Sequence, residues 1–226
     1  MPSMPIMPMN PTPGSPGKSQ WTRNLERNPG HSQWYIERWE RMRAEGKDID
    51  GEARLIDALA PRGAFVLDAG SGTGRVGAEL ARRGHDVVGI DLDPTLVAYA
   101  ERTSPGPRWI TGDLAEACAI LGEGSLGTFD VVVAAGNVVT FVAENDRRRV
   151  LENFARLLRP GGRLVAGFGT GRGYSLESYV ADAAAAGFEV PQVFSTWDLR
   201  PASDDPGFVV VISVKGEGKA AKATPA

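Results

Sequence analysis

Apolar residues between positions 65 and 214 fall into short β-rich runs separated by longer stretches with helical spacing. That alternation predicts strands alternating with helices around one sheet. The runs 65–67, 86–90 and 108–110 are short, whereas 129–134 is almost continuously apolar and reads as a central strand covered on both faces. Between them, 75–83 places Val76, Leu80 and Ala81 on one face and stops at Gly84. Asp93 and Pro94 open a further helix as cap and first-turn residue, and 114–121 follows the third strand. In 144–158, Val150, Leu151, Phe154, Leu157 and Leu158 form the apolar face, and Arg147, Arg148 and Arg149 read as its solvated side.

Upstream, 32–45 is an amphipathic helix with Tyr35, Trp39 and Met42 on one face, which either packs on the domain or closes over it as a lid. A second helix, 51–59, carries Leu55, Ile56 and Leu59 and is broken by Pro61-Arg62-Gly63. Downstream, a helix at 175–186 ends at Gly187. Two extended runs, 188–197 and 208–214, then follow with too short a loop between them for a crossover, so they pair antiparallel. Pro191 lies in the first of these, which fits an edge strand where a missing N–H is tolerated.

The chain has 226 residues, 42% of them hydrophobic, enough for one sizeable core. Its organisation reads as a disordered extension over 1–20, a helical cap or lid over 21–60, an α/β domain over 61–215 and a disordered tail over 216–226. A net charge of -3 gives no overall attraction to nucleic acid, and neither end carries a signal-peptide or membrane-spanning pattern. Cys118 is the only cysteine, which excludes an internal disulfide framework and a Cys-rich zinc site and is consistent with the cytoplasm. No metal site is read.

The chemistry concentrates where the first strand meets the glycine-rich turn Asp68-Ala69-Gly70-Ser71-Gly72-Thr73-Gly74, before the helix that starts at Arg75. Bare backbone at a helix N-terminus, with a carboxylate beside it, is suited to a ligand. Two registers overlap. Gly72-x-Gly74-x-x-Gly77 matches a dinucleotide fingerprint, with Asp91 at the distance of a ribose-binding acid. In the longer pattern, Asp68-x-Gly70-x-Gly72-x-Gly74, the acid stands where a pyrophosphate would sit and favours a cationic ligand.

That longer pattern resembles the first motif of the class I S-adenosylmethionine (SAM)-dependent methyltransferases. The order of acids and turns that follows resembles the same family over about 66–214. The resemblance implies a Rossmann-like α/β fold: a seven-stranded, mostly parallel sheet of order 3-2-1-4-5-7-6 with strand 7 antiparallel and helices on both faces. It implies SAM as cofactor, S-adenosylhomocysteine as product and in-line displacement of the methyl group. Cofactor contacts fall on Asp68, Gly70, Ser71, Gly72, Gly74 and Arg75; on Asp91 and Leu92 after strand two; on Gly112, Asp113 and Leu114 after strand three; and on Ala135, Gly136 and Asn137 after strand four. The stretch 158–164 resembles the family's turn before strand five.

No general acid or base is identified. Tyr35, Asn137, Tyr174, Trp197 and His31 come from segments that should meet at the acceptor mouth. After strand four the chain lacks the Asp/Asn-Pro-Pro-Tyr/Phe sequence of many amino-methylating nucleic-acid enzymes, so a nucleic-acid acceptor is not expected; the compact C-terminal half leaves little room for a large substrate domain, so a small-molecule acceptor is expected first and a protein acceptor second. Two other readings remain: a SAM-binding regulatory protein without turnover, and an NAD(P)-dependent oxidoreductase that uses the overlapping glycine register.

Overall fold

The computed structural model describes residues 17–203 and 206–217. Most of the expected extension, 1–16, and the end of the expected tail, 218–226, lie outside the described residues. Seven strands form one sheet of order β3-β2-β1-β4-β5-β7-β6. They are β1 (Phe65–Ala69), β2 (Asp86–Asp91), β3 (Arg108–Thr111), β4 (Phe129–Ala134), β5 (Leu158–Phe168), β6 (Gln192–Phe194) and β7 (Val209–Val214). The first five pair in parallel, and β7 runs antiparallel to both β5 and β6. The expected order is therefore the observed one.

Strand alternation sends side chains to two cores. Val66, Val131, Val133 and Val165 pack with helices α3 (Gly51–Leu59) and α4 (Arg75–Arg82). Leu67, Val132, Ala134 and Leu164 pack with α8 (Arg147–Leu157) and α9 (Leu176–Ala185) on the opposite face. Burying each of these Val and Leu side chains stabilises the fold by roughly 1.5–3 kcal/mol. Helix α5 (Pro94–Thr103) adds Val97 and Ala100 against Trp109 of β3.

Helix α2 (His31–Ala44) and α3 stand where the pattern placed them. Helix α1 (Gln20–Arg27) was not expected. Ser19 caps it by accepting from the Thr22 amide, so the boundary drawn at 20/21 falls inside a helix. On α2 the fully buried positions are Ser32 and Ile36, with Tyr35, Trp39 and Met42 half-buried beside them.

Three other elements differ in extent. The stretch 114–121 splits into a 3₁₀ turn and α6 (Ala117–Leu121), and 144–158 begins with a 3₁₀ turn before α8. Within the expected turn 158–164, Leu158 already pairs with Phe129, and the register shifts before Arg163 pairs with Val131. Gly161, at φ 72°, makes that irregularity possible. Strand β6 is three residues long, not the ten of 188–197. Pro191 precedes it and cannot donate, and beyond it Ser195 N–H bonds Arg200 O while Leu199 takes φ 62°, which turns the chain off the sheet edge. Among the described residues no helix is long and apolar enough to cross a membrane.

Candidate active site

Parallel strands β1, β2, β3 and β4 deliver their carboxyl ends to one edge, where open α/β sheets bind ligands. The glycine loop is fastened there. Ile90 O accepts from the Gly70 and Ser71 amides, Asp91 Oδ2 accepts from Gly72 N–H at 2.8 Å, and Asp91 O accepts from Gly112 N–H at 2.8 Å. Asp91 thus holds the loops after β1 and β3 at once. Its Oδ1 accepts from Asp93 N–H, and burial pushes its carboxyl up to about 6 against the pull of these backbone donors.

Over this edge lies a cavity of about 770 Å³, its open mouth included. Its floor consists of Gly70 and Gly72, Asp91 and Leu92, Gly112 to Leu114, and Ala135 and Gly136. Its roof is Trp21 of α1 and Tyr35 of α2, with Phe141 of α7 (Val138–Phe141) closing one side. Tyr35 stands over the loop, since a Cβ on Gly72 would lie 3.4 Å from its Cε1. Gly70, at φ 72°, is packed so closely that a Cβ would meet Val138 at 2.4 Å. Asp113 keeps an exposed carboxylate in the cavity wall while Oδ1 caps the following turn through Ala115 N–H. Leu92 is 37% exposed in that wall and gives it an apolar face.

A wider cleft adjoins the cavity and shares Trp21, Tyr35, Gly136 and Phe141 with it. Gly136 sits at the junction, with nothing within 4 Å of a Cβ built on it. His31, Tyr35, Asn137 and Trp197 all line this cleft, so four of the five acceptor-mouth candidates come together there. Asn137 holds φ 72°, and its Oδ1 accepts from Gly169 N–H at 2.8 Å, which ties the β4 loop to the end of β5. His31 is packed between Trp21 and Trp34. Trp197 lies on β5, where a Cβ on Gly167 would overlap its ring.

Other expected residues stand elsewhere. Tyr174 is buried against Phe168 and Tyr179 and donates to Asp182 Oδ2 at 2.7 Å, so its hydroxyl faces α9 and not the mouth. Burial, then Asp182, raises its pKa. Asp68 lines neither space. Its Oδ2 accepts from Gly77 N–H at 2.8 Å, where it satisfies a first-turn donor of α4, and burial pushes its carboxyl up to about 7. Asp68 therefore presents no carboxylate to the cavity, whereas Asp91 and Asp113 line it. Ser71 is buried with its hydroxyl unpartnered among the described residues, and Gly74 is the left-handed N-cap of α4, packed on Ala100 and Trp109. Arg75 faces the outer cleft, where it makes a two-bond fork to Glu52 (2.9 and 2.6 Å), bonds Ile49 O and lies 4.3 Å over the Trp39 ring.

The sequence reading missed Trp21, Phe141 and Arg147. Arg147 turns in from the triple-arginine run, lies 4.4 Å over the Tyr174 ring and donates to Gly173 O. Its buried Nε has no partner among the described residues.

The family described as "Methyltransferase domain" matches residues 66–162, from β1 to the start of β5. The demethylmenaquinone methyltransferase of Beutenbergia cavernae is 32% identical over 183 residues, 76% of this chain and 73% of that protein. A solved TehB-like SAM-dependent methyltransferase from Corynebacterium glutamicum is 46% identical, with a TM-score of 0.77 over 83% of this chain and all of that one. This chain belongs to the SAM-dependent methyltransferases. Another methyltransferase, the magnesium-protoporphyrin O-methyltransferase of Rhodobacter capsulatus, is 38% identical over 100 residues, and there the match spans only 43% of that protein. The methyltransferase family takes SAM as its cofactor. The residues of the inner cavity fit it, with carboxylates at the ends of β2 and β3, bare backbone at the glycine loop and an apolar wall at Leu92.

Proposed function

We propose that this methyltransferase transfers the methyl group of SAM to a small-molecule acceptor entering through the outer cleft. The observation that carries this reading is the junction at Gly136, a residue without a side chain that lines both the inner cavity and a cleft walled by aromatic and polar groups. When bound, SAM would supply an electrophilic methyl group on a sulfonium whose sulfur can leave with the carbon–sulfur electron pair. The protein's contribution is orientation and exclusion of water.

In this reading Asp91 accepts from ribose hydroxyls while still anchoring Gly72, since a carboxylate has acceptor capacity beyond its two backbone bonds. Asp113 and Leu92 serve the adenine end. Gly70, Gly72, Ala135 and Gly136 offer the close approach needed by the methionyl end. Tyr35 and Trp21 roof the cofactor, and Asn137 and Trp197 shape the acceptor side. Segment 21–60 is the cap and 61–215 the catalytic domain, in a cytoplasmic protein. The two curated relatives named above carry small-molecule acceptors in their names, which supports the choice of acceptor class.

Calorimetric titration with SAM, S-adenosylhomocysteine and NAD(H) tests the cofactor assignment. Binding of both adenosyl ligands, weakened by Asp91→Ala and absent for NAD(H), is expected. Formation of S-adenosylhomocysteine over a panel of acceptors then separates an enzyme from a SAM-binding regulator.

A further inference from the structure

The outer cleft carries a charge opposite to that of the chain. The protein is net -3, yet the cleft is lined by Lys18, Arg23, Arg38, Arg75, Arg147 and Arg172 against only Glu52 and Glu144 among the described residues. Pairing sharpens the imbalance. Arg75 is taken by Glu52 and Lys18 by Glu26, while Arg23, Arg38, Arg147 and Arg172 pair with no carboxylate among the described residues. SAM does not account for this surplus, because its sulfonium and ammonium outweigh its one carboxylate. A cationic cleft beside a cationic cofactor is repulsive until an anion enters.

Two of these arginines flank one loop. Arg147 bonds Gly173 O and keeps a buried Nε unpartnered, and Arg172 lies where a Cβ on Gly169 would be 3.2 Å from its Nε, beside the Asn137 amide that holds Gly169. This loop is tied to 206–207 by Thr170, whose hydroxyl donates to Pro206 O, and Trp197 and Phe208 line the same cleft. Trp34, 49% exposed, adds a further aromatic face to the same cleft. Guanidinium groups beside flat apolar faces suit one kind of ligand.

We infer that the acceptor is a small aromatic anion, a carboxylate or phosphate on a planar ring, held by Arg147 and Arg172 with its ring on the aromatic lining of the cleft. The inference rests on the SAM-dependent reading above and narrows its acceptor.

The test is calorimetric titration of protein saturated with S-adenosylhomocysteine, using benzoate, phenyl phosphate, acetate, benzamide and benzylamine. Benzoate or phenyl phosphate is expected to bind at least about tenfold more tightly than the neutral amide and the amine, and acetate more weakly for lack of a ring. The comparison of benzoate with phenyl phosphate tells which anion is preferred. Arg172→Gln, at an exposed side chain, and Arg147→Gln should each weaken the preferred anion about tenfold and leave S-adenosylhomocysteine affinity and benzamide affinity unchanged. Equal or tighter binding of benzamide or benzylamine, no binding of either aromatic anion, or anion binding indifferent to Arg172→Gln overturns the inference. If S-adenosylhomocysteine binds normally in that experiment, the cofactor reading survives the loss. If it does not bind, the cofactor reading falls and this inference with it.

Discussion

The indole of Trp21 donates to Asp93, Nε1 to Oδ2 at 2.8 Å across 72 residues of chain, while Oδ1 of the same carboxylate caps α5 through Thr95 N–H. Ser32 Oγ donates to Oδ2 as well, so one buried acid fastens both α1 and α2 to the end of β2. Asp93→Ala removes a helix cap and strands a buried indole donor, with an expected loss of about 2–4 kcal/mol in urea unfolding. SAM affinity should fall too, because Trp21 and Leu96 both line the cavity. Trp21→Phe keeps the ring and should cost less. A stability loss for Asp93→Ala with SAM affinity untouched would disconnect the roof from the cofactor.

Asp91 and Asp68 give the protein two pH signatures. Both carboxyls are pushed up by burial, to about 6 and about 7, so the folded state holds protons that the unfolded chain has released. The stability tied to those protons is full below the ordinary carboxylate range and is lost as pH rises through about 6 and then about 7. Urea midpoints of ligand-free protein should drop from acid to mildly alkaline pH, and Asp68→Asn should flatten the later part. SAM affinity should run the other way, rising with pH through about 6 as Asp91 ionises, and Asp91→Asn should remove that rise.

The Arg75–Glu52 fork is largely enclosed, with side chains 8% and 17% exposed. Removing one partner leaves a buried charge, so Arg75→Met or Glu52→Leu alone should destabilise by about 3–5 kcal/mol. The double variant should lose clearly less than the sum. Strict additivity in a double-mutant cycle would mean the pair does not act as a unit.

Trp197 and Tyr174 separate acceptor chemistry from core packing. Trp197→Ala should lower acceptor turnover and leave SAM affinity near its original value, since Trp197 lines the cleft and not the cavity. Tyr174→Phe deletes only the bond to Asp182, so it should cost about 1 kcal/mol of stability and leave turnover unchanged. A turnover defect in Tyr174→Phe would return that hydroxyl to the acceptor side.

Gly70→Ala should destabilise by about 1–3 kcal/mol, because a side chain there is strained at φ 72° and meets Val138. Adding Val138→Ala relieves the contact and not the dihedral, so stability should return only in part.

Apolar runs and glycine stops made the strands and helices readable, and a loop too short for a crossover gave the antiparallel pair at the end, whereas the sheet order came from the resemblance to the methyltransferase family. Side-chain direction was harder. Asp68 sits beside the glycine loop in sequence, yet it shares strand parity with Val66 and so points to the α4 face, where Gly77 N–H meets it. Arg147 was read with its two exposed neighbours, although 147, 151 and 154 share a helical face and the latter two are buried. Helix α1 offered only Trp21 and Leu25 as apolar spacing after a run of Pro, Gly and Ser, and its stability depends on a partner far away in sequence. Tyr174 follows β5 closely enough to suggest the mouth, but the Phe168–Tyr179 cluster draws it inward.

The family match over 66–162 takes in every loop of the cavity floor and stops short of α1 and α2, which supply Trp21, Tyr35, His31 and Trp34. The floor of the cavity thus lies inside the matched stretch, and the aromatic roof it shares with the cleft lies outside it. One carboxylate, Asp93, therefore joins two helices from outside the matched stretch to a strand end inside it.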